Sequence, residues 1–262
     1  MGTAQVQGRL WGSRAEDWSE ANEPAWDPVF EFVLGQAGVT PGTRLLDVGC
    51  GAGRALSIAD SLGAQISGLD ASERLAAVAR RKLPAARIEV GEMEELPFED
   101  AAFDVVTGIN AFQFAADVVR ALSEARRVCR GDGTVMMLVW GRREDCELIT
   151  VTMPALFALL PPAPPTDRPA PVLSEPGVIE EFMDRAGLVP TGGGEFGAPL
   201  VFPDARTAVR AILSAGPSAR AIDLVGEDAV ASAVVGTLGP VTRPGGAVVW
   251  NNRFRWVTAT PR

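Results

Sequence analysis

Neither histidine nor tyrosine occurs among the 262 residues, and lysine occurs once, as Lys82. Without histidine there is no serine–histidine nucleophile pair, no imidazole general base and no histidine metal site. A single lysine leaves Schiff-base chemistry to Lys82 alone. The three cysteines, Cys50, Cys129 and Cys146, show no C-x-x-C spacing. That points to a reducing compartment and against a disulfide. A net charge of −9 argues against nucleic acid and anionic membrane surfaces, whose phosphates call for basic patches. No apolar run reaches 18 residues free of charge, so no membrane span is expected. Met1–Leu10 lacks the apolar segment of a secretory signal, and a cytoplasmic location is expected.

What is present centres on Leu45-Leu46-Asp47-Val48-Gly49-Cys50-Gly51-Ala52-Gly53-Arg54. Apolar residues run into a glycine cluster and then into an Ala-rich segment, an order that reads as strand, tight turn, helix. Glycines let the turn adopt positive φ and let its backbone lie against a ligand. The helix that follows points free N–H groups at whatever binds. A dinucleotide turn of the form G-x-G-x-x-G is not complete, because Arg54 stands where the third glycine belongs. Asp47, just before the turn, would repel a pyrophosphate and suits a cationic or amine-bearing ligand.

Downstream, strands are expected at Gln65–Leu69, Arg87–Val90, 102–108 and Thr134–Trp140, with helices between them. The helices are placed at Arg54–Leu62, from Ser72 as N-cap to Lys82, and at 116–129, ended by Gly131-Asp132-Gly133. Five parallel strands so separated predict a doubly wound α/β sheet. Asp70 closes the second strand, where nucleotide-binding α/β folds hold a ribose diol, and Ala71 follows it. The alternative for Asp70 is a helix cap. Before the sheet, residues 1–36 read as helical, with Ser13 capping a helix from about Arg14 and Pro28 in the first turn of the next. Trp11, Trp18 and Trp26 there are either core packing or a lid.

Leu46 to Gly53 resembles the first motif of class I S-adenosylmethionine (SAM)-dependent methyltransferases. Gly91-Glu92-Met93-Glu94-Glu95-Leu96-Pro97-Phe98 resembles the later family segment G-D-A-x-x-L-P-F, and Phe103-Asp104-Val105-Val106 resembles its F-D-x-V strand. The likeness is to the UbiE-like small-molecule methyltransferases (methyltransferase type 11). It implies a Rossmann-like seven-stranded sheet of order 3-2-1-4-5-7-6, the last strand antiparallel, in one domain over 1–262. Within it, 1–36 would be a lid, 43–140 the SAM-binding core and 141–245 the part that shapes the acceptor pocket. It implies SAM as cofactor, with S-adenosylhomocysteine as product, held by Asp47, Gly49, Cys50, Gly51, Gly53, Asp70 and Ala71. Glu92 would accept from the adenine amino group and the Met93 backbone would meet a ring nitrogen. Trp18 would close over the methionine part.

The loop after the fourth strand should face the methyl group, which makes Asn110 and Gln113 candidates to position an acceptor or to hold SAM. Their plain alternatives are a helix cap and ordinary surface. Candidate carboxylate bases are Glu16, Asp17, Glu144 and Asp145, weak unless burial raises their pKa. The lack of histidine tilts the acceptor toward an amine, an acidic oxygen or a stabilised carbanion. No metal ligand set is visible.

Past Trp140 the regular alternation stops. The stretch 161–171 is proline-rich, a solvent loop or pocket wall. A helix started by Ser174-Glu175-Pro176-Gly177 and stopping at Gly187 follows, then a sixth strand within Leu188–Phe202 broken at Gly192–Gly194. Two further helices are expected near Ala205–Ser214 and Glu227–Leu238, before a last strand at Val248–Val257. The expected partner is a small-molecule acceptor, with no nucleic acid and no membrane, in a monomer or homodimer. Two rival functions share this fold: a non-methyl reaction such as a cyclisation, or a non-catalytic SAM-binding subunit.

Overall fold

Alternate residues of the central strands face opposite cores, and that alternation sets the layering. In the computed structural model, which describes residues 2–161 and 172–262, Leu45, Met136 and Leu138 belong to one buried cluster. Leu46, Val135, Met137 and Val139 belong to the other. A strand buried on both faces is the expectation for a parallel sheet covered by helices on each side.

The seven strands are β1 (Arg44–Val48), β2 (Gln65–Asp70), β3 (Arg87–Val90), β4 (Phe103–Ile109), β5 (Cys129–Trp140), β6 (Leu188–Phe202) and β7 (Val248–Pro261). Their order is β3-β2-β1-β4-β5-β7-β6. β1 to β5 pair in parallel, while β7 runs antiparallel to both β5 and β6. The seven-stranded order and the antiparallel last strand are as expected.

The chain opens with α1 (Ala4–Gly12) and α2 (Ala15–Asp17), then a π-helical turn at Trp18–Asn22 and a 3-10 turn at Glu23–Trp26. It continues into α3 (Asp27–Gln36), with Pro28 in its first turn. Between strands lie α4 (Arg54–Ser61), α5 (Glu73–Lys82) and α6 (Val118–Val128). The C-terminal part adds α7 (Met153–Phe157), α8 (Val178–Arg185), α9 (Ala205–Leu213), α10 (Gly216–Val225) and α11 (Glu227–Val235). A second π turn, Leu148–Thr152, runs into α7. No described helix is long and apolar enough to cross a membrane.

Several local expectations need correction. Ser13 ends α1, its hydroxyl donating to the Leu10 carbonyl, and caps no helix start. Gly131-Asp132-Gly133 lies inside β5, because Cys129 already pairs with Phe103 across a register shift. Gly192–Gly194 does not break β6. The irregularity is one residue earlier, between Pro190 and Gly192, and all three glycines pair with β7. α10 was not foreseen. Its pattern is weakened by Gly216-Pro217, which in fact occupies the first turn. Of the proline-rich stretch, residues 162–171 lie outside the described residues.

Candidate functional site

The carboxyl ends of β1, β2 and β4 converge on one cavity of about 370 Å³. At its centre the turn after β1 holds Gly49, Gly51 and Gly53 at φ of 79°, 57° and 85°. This is the left-handed region that side chains with a Cβ rarely adopt. A Cβ on Gly51 would stand 2.8 Å from Glu23 Oε1, and one on Gly49 2.5 Å from the Ala111 Cβ. The turn is therefore closed from behind, and its free side opens on the cavity.

Asp70 binds the turn into place. Its Oδ2 accepts from the Gly51 N–H at 2.9 Å and its Oδ1 from the Ser72 N–H at 2.7 Å. Ser72 in turn caps α5 by accepting from the Leu75 N–H. Burial pushes the Asp70 carboxyl above its ordinary value, against the pull of those backbone donors. Asp47 is buried one strand away and accepts from the Thr107 hydroxyl at 2.7 Å. Its carboxyl is raised to about 7, first by burial and also by the neighbouring charge of Asp70.

Asn110 sits at φ 51°, an uncommon conformation for a residue with a Cβ, and its N–H donates to the Leu138 carbonyl. Its Oδ1 accepts from Gln113 Nε2 at 3.2 Å. That leaves Asn110 Nδ2 and Gln113 Oε1 buried and without a hydrogen-bond partner among the described residues. Both side chains line the cavity. An unmatched donor beside an unmatched acceptor, both desolvated, is the signature of a place for a polar ligand group.

The structure also brings in Glu23, which sequence reasoning missed. It is 2% exposed. Its Oε1 accepts from the Ala52 N–H at 2.7 Å and from Trp18 Nε1 at 3.1 Å, and its Oε2 has no hydrogen-bond partner among the described residues. Lys82 Nζ lies 3.8 Å away. Burial lifts this carboxyl to about 8, with Lys82, the Ala52 N–H and the Trp18 indole pulling it down. An acid followed by proline in a helical prelude gives no sign of burial; only the tertiary fold lays it against the glycine turn.

Other expected site residues divide. Asp47, Gly49, Cys50, Gly51, Asp70, Ala71, Met93, Asn110, Gln113 and Trp18 all border the cavity. Glu92 does not. Its carboxylate accepts from the Thr3 and Ala4 N–H groups at 3.2 and 3.0 Å and holds the N-terminus of α1, where a negative charge meets the helix dipole. Gly53 does not border it either; it faces Ala79 and Leu83 and seats α4 against α5. Glu16 pairs with Arg81, and Asp17 with Arg14 and Arg210. Glu144 and Asp145 are exposed. None of these four acids borders the cavity.

Toward β5, β7 and β6 the cavity becomes an apolar chamber, bounded by Trp26, Trp140, Leu148, Phe202, Ile212 and Trp250 among others. Among the described residues no group of three or more potential metal ligands is present.

Residues 46–137 match the sequence profile of the family described as "Methyltransferase domain". A malonyl-(acyl-carrier protein) O-methyltransferase of Serratia marcescens is 32% identical over 124 residues, 47% of this chain and 49% of that protein. The chain spans about half the length of the curated relatives it matches. Among solved structures, the YcgJ protein of Bacillus subtilis superimposes with a TM-score of 0.58 at 21% identity, covering 89% of this chain and 97% of that one. The [4+2]-cyclase SpnF does so with a TM-score of 0.55 at 18% identity, covering 90% and 81%. These two likenesses show the fold alone. Residues 46–137 are thus similar to the methyltransferase-domain family, and the strand order is that of the Rossmann-like fold which these structures share.

Proposed function

We propose that this protein transfers a methyl group from SAM to a small molecule seated in the apolar chamber. The observation that carries this reading is the continuity of the cavity: the glycine turn, Asp70 and the chamber wall border one space. Its volume is that of a small-molecule site.

The residues present fit SAM. The turn is a cradle that a Cβ would fill or strain, and the unpartnered atoms of Asn110 and Gln113 offer one donor and one acceptor. When bound, SAM supplies an electrophilic methyl group on a positively charged sulfur. Asp70 would take the ribose hydroxyls on its remaining lone pairs, since a carboxylate has about four acceptor positions and two are used. Met93 would cover the adenine. Asn110 Nδ2 would donate to the carboxylate of the amino-acid end, and Gln113 Oε1 would accept from its ammonium. Asp47 and Glu23, once ionised, would place negative potential beside the cation. Trp11 and Trp18 meet edge to face at 5.1 Å and would roof this end over a bound ligand. The chain's contribution to rate is then positioning: it holds acceptor and methyl group in contact and dry.

Calorimetric titration with SAM and S-adenosylhomocysteine tests the first half, and capture of isotope-labelled methyl in an acceptor tests the second. Absence of SAM binding would overturn the proposal. Tight SAM binding with label never leaving it would instead favour a non-methyl reaction such as a cyclisation.

A further inference from the structure

The charges of the cavity are unevenly placed. Its carboxylates, Glu23, Asp47 and Asp70, all sit on or against the glycine turn and the ends of β1 and β2. The chamber over β5, β7 and β6 has no ionisable side chain among the described residues that border it. Its Asn22 and Ser218 side chains are already engaged. Asn22 Nδ2 donates to the Ala211 carbonyl and its Oδ1 accepts from Trp26 Nε1, both within 3.0 Å. The Ser218 hydroxyl donates to the Ile212 carbonyl at 2.6 Å. Trp26 and Trp140 meet edge to face at 5.3 Å and form a large aromatic wall.

Among the described residues that border it, such a chamber gives an acceptor neither a cation to pair with nor a base to lose a proton to. Desolvation favours whichever form of the acceptor is neutral. For a phenol or a carboxylic acid that form is the poor nucleophile. For an amine it is the good one, with its lone pair free. We propose, building on methyl transfer at this site, that the acceptor is an apolar, ring-bearing amine methylated on nitrogen, and that anionic acceptors are excluded.

The step balances without a base. The amine nitrogen gives its electron pair to the new N–C bond, and the C–S bond breaks with its pair left on sulfur. The positive charge passes from sulfur to nitrogen. The product leaves as an ammonium that keeps its proton until water takes it. The aromatic rings of Trp26 and Trp140 border the space in which that cation would form, and aromatic rings attract cations.

The test compares three probes of similar bicyclic skeleton: 1,2,3,4-tetrahydroisoquinoline, 2-naphthol and 2-naphthoate. Binding is measured by calorimetry on the full chain saturated with S-adenosylhomocysteine, and labelled methyl transfer is measured separately with SAM. The amine is expected to bind at least tenfold more tightly than the naphthoate, and to be the probe that becomes labelled. Ile149 borders the chamber and is half-buried. Ile149→Arg should reverse the preference toward naphthoate, while Ile149→Met keeps it. Naphthoate binding as tightly as the amine to the unaltered protein overturns the proposal. So does labelled naphthol with unlabelled amine, or SAM binding with no affinity for the amine. Failure to bind SAM at all is a different result and overturns the methyl-transfer reading beneath it.

Discussion

Asp70 carries two duties that a single substitution would confuse. It ties Gly51 to Ser72 and, in the proposed function, takes the ribose hydroxyls. Asp70→Ala should weaken SAM tenfold or more, since each hydrogen bond to a charged acceptor contributes roughly 1.5–3 kcal/mol. Calorimetry on Asp70→Ala and Asp70→Asn, with melting curves for both, separates the duties. A loss of affinity in Asp70→Asn with unchanged melting belongs to the ribose. Unchanged affinity in Asp70→Ala would remove the assignment.

Glu23 and Asp47 make pH a second probe at this scale. Burial holds their carboxyls near 8 and 7, against ordinary values of 4.5 and 3.8. Between those limits the native chain keeps protons that the unfolded chain has released. Their contribution to stability is therefore full below the ordinary values and is lost as pH rises through about 7 to 8. Thermal midpoints should fall between pH 5 and pH 8.5, and Glu23→Gln should flatten that fall. A cationic ligand favours the ionised forms, so SAM should bind more tightly at pH 8 than at pH 6 and release protons on binding. Titration in buffers of different ionisation enthalpy counts those protons; proton uptake would contradict this.

At the scale of elements, α1 is the piece most finely fitted to its neighbours. Glu92 holds its N-terminus, and the Thr3 hydroxyl donates to the Phe114 carbonyl. Along its underside, a Cβ on Gly8 would lie 2.2 Å from the Ala71 carbonyl oxygen and one on Gly12 2.1 Å from Ser72 Oγ. Four residues apart, the two glycines form a flat strip on one helix face. Gly8→Leu should unseat α1 at a cost of about 1–3 kcal/mol, as overpacked sites do. The sheet beneath rests on other contacts. SAM affinity should fall while the melting transition persists; unchanged affinity would mean that α1 is no part of the cradle.

The sequence spoke clearly where local chemistry decides the element. Ser72, the expected N-cap, caps α5 by accepting from the Leu75 N–H. Gly63 at φ 84° follows α4. Gln65–Asp70 and Arg87–Val90 stand as strands nearly to the residue. It was silent where distant segments meet. Glu92 keeps the motif's place in sequence, yet its carboxylate goes to α1, whose position no local signal reports. The burial of Glu23 depends on two turns, π and 3-10, that break helical periodicity at Trp18–Trp26. Both π turns reach the cavity, through Trp18 and Asn22 and through Leu148 and Ile149. π turns concentrate at functional places because they re-aim side chains out of the regular helical register.

For the molecule as a whole, the first helices and the last third of the chain close the same space. α1 meets α10 through the Arg9–Asp223 ion pair and through Trp11, whose indole would lie 2.8 Å from a Cβ on Gly216. Asp17 and Glu20 both pair with Arg210 of α9. These pairs are largely exposed and individually weak, with a median near 0–1 kcal/mol. The Arg210 pair should therefore matter at low salt and fade as salt screens it. Arg210→Gln should raise the rate of SAM release at low ionic strength and have little effect at 1 M salt, as stopped-flow displacement would show. An equal effect at both salts would mean that packing, not charge, holds the two parts together.

The absence of tyrosine has an optical consequence. Of six tryptophans, Trp11, Trp18, Trp26, Trp140 and Trp250 border the cavity, and only Trp256 does not. Ultraviolet emission from this protein therefore comes almost wholly from the walls of the space it would fill with ligand. Removing Trp256 would leave a chain whose every emitting residue looks onto that space, so that its own light reports when the space is filled.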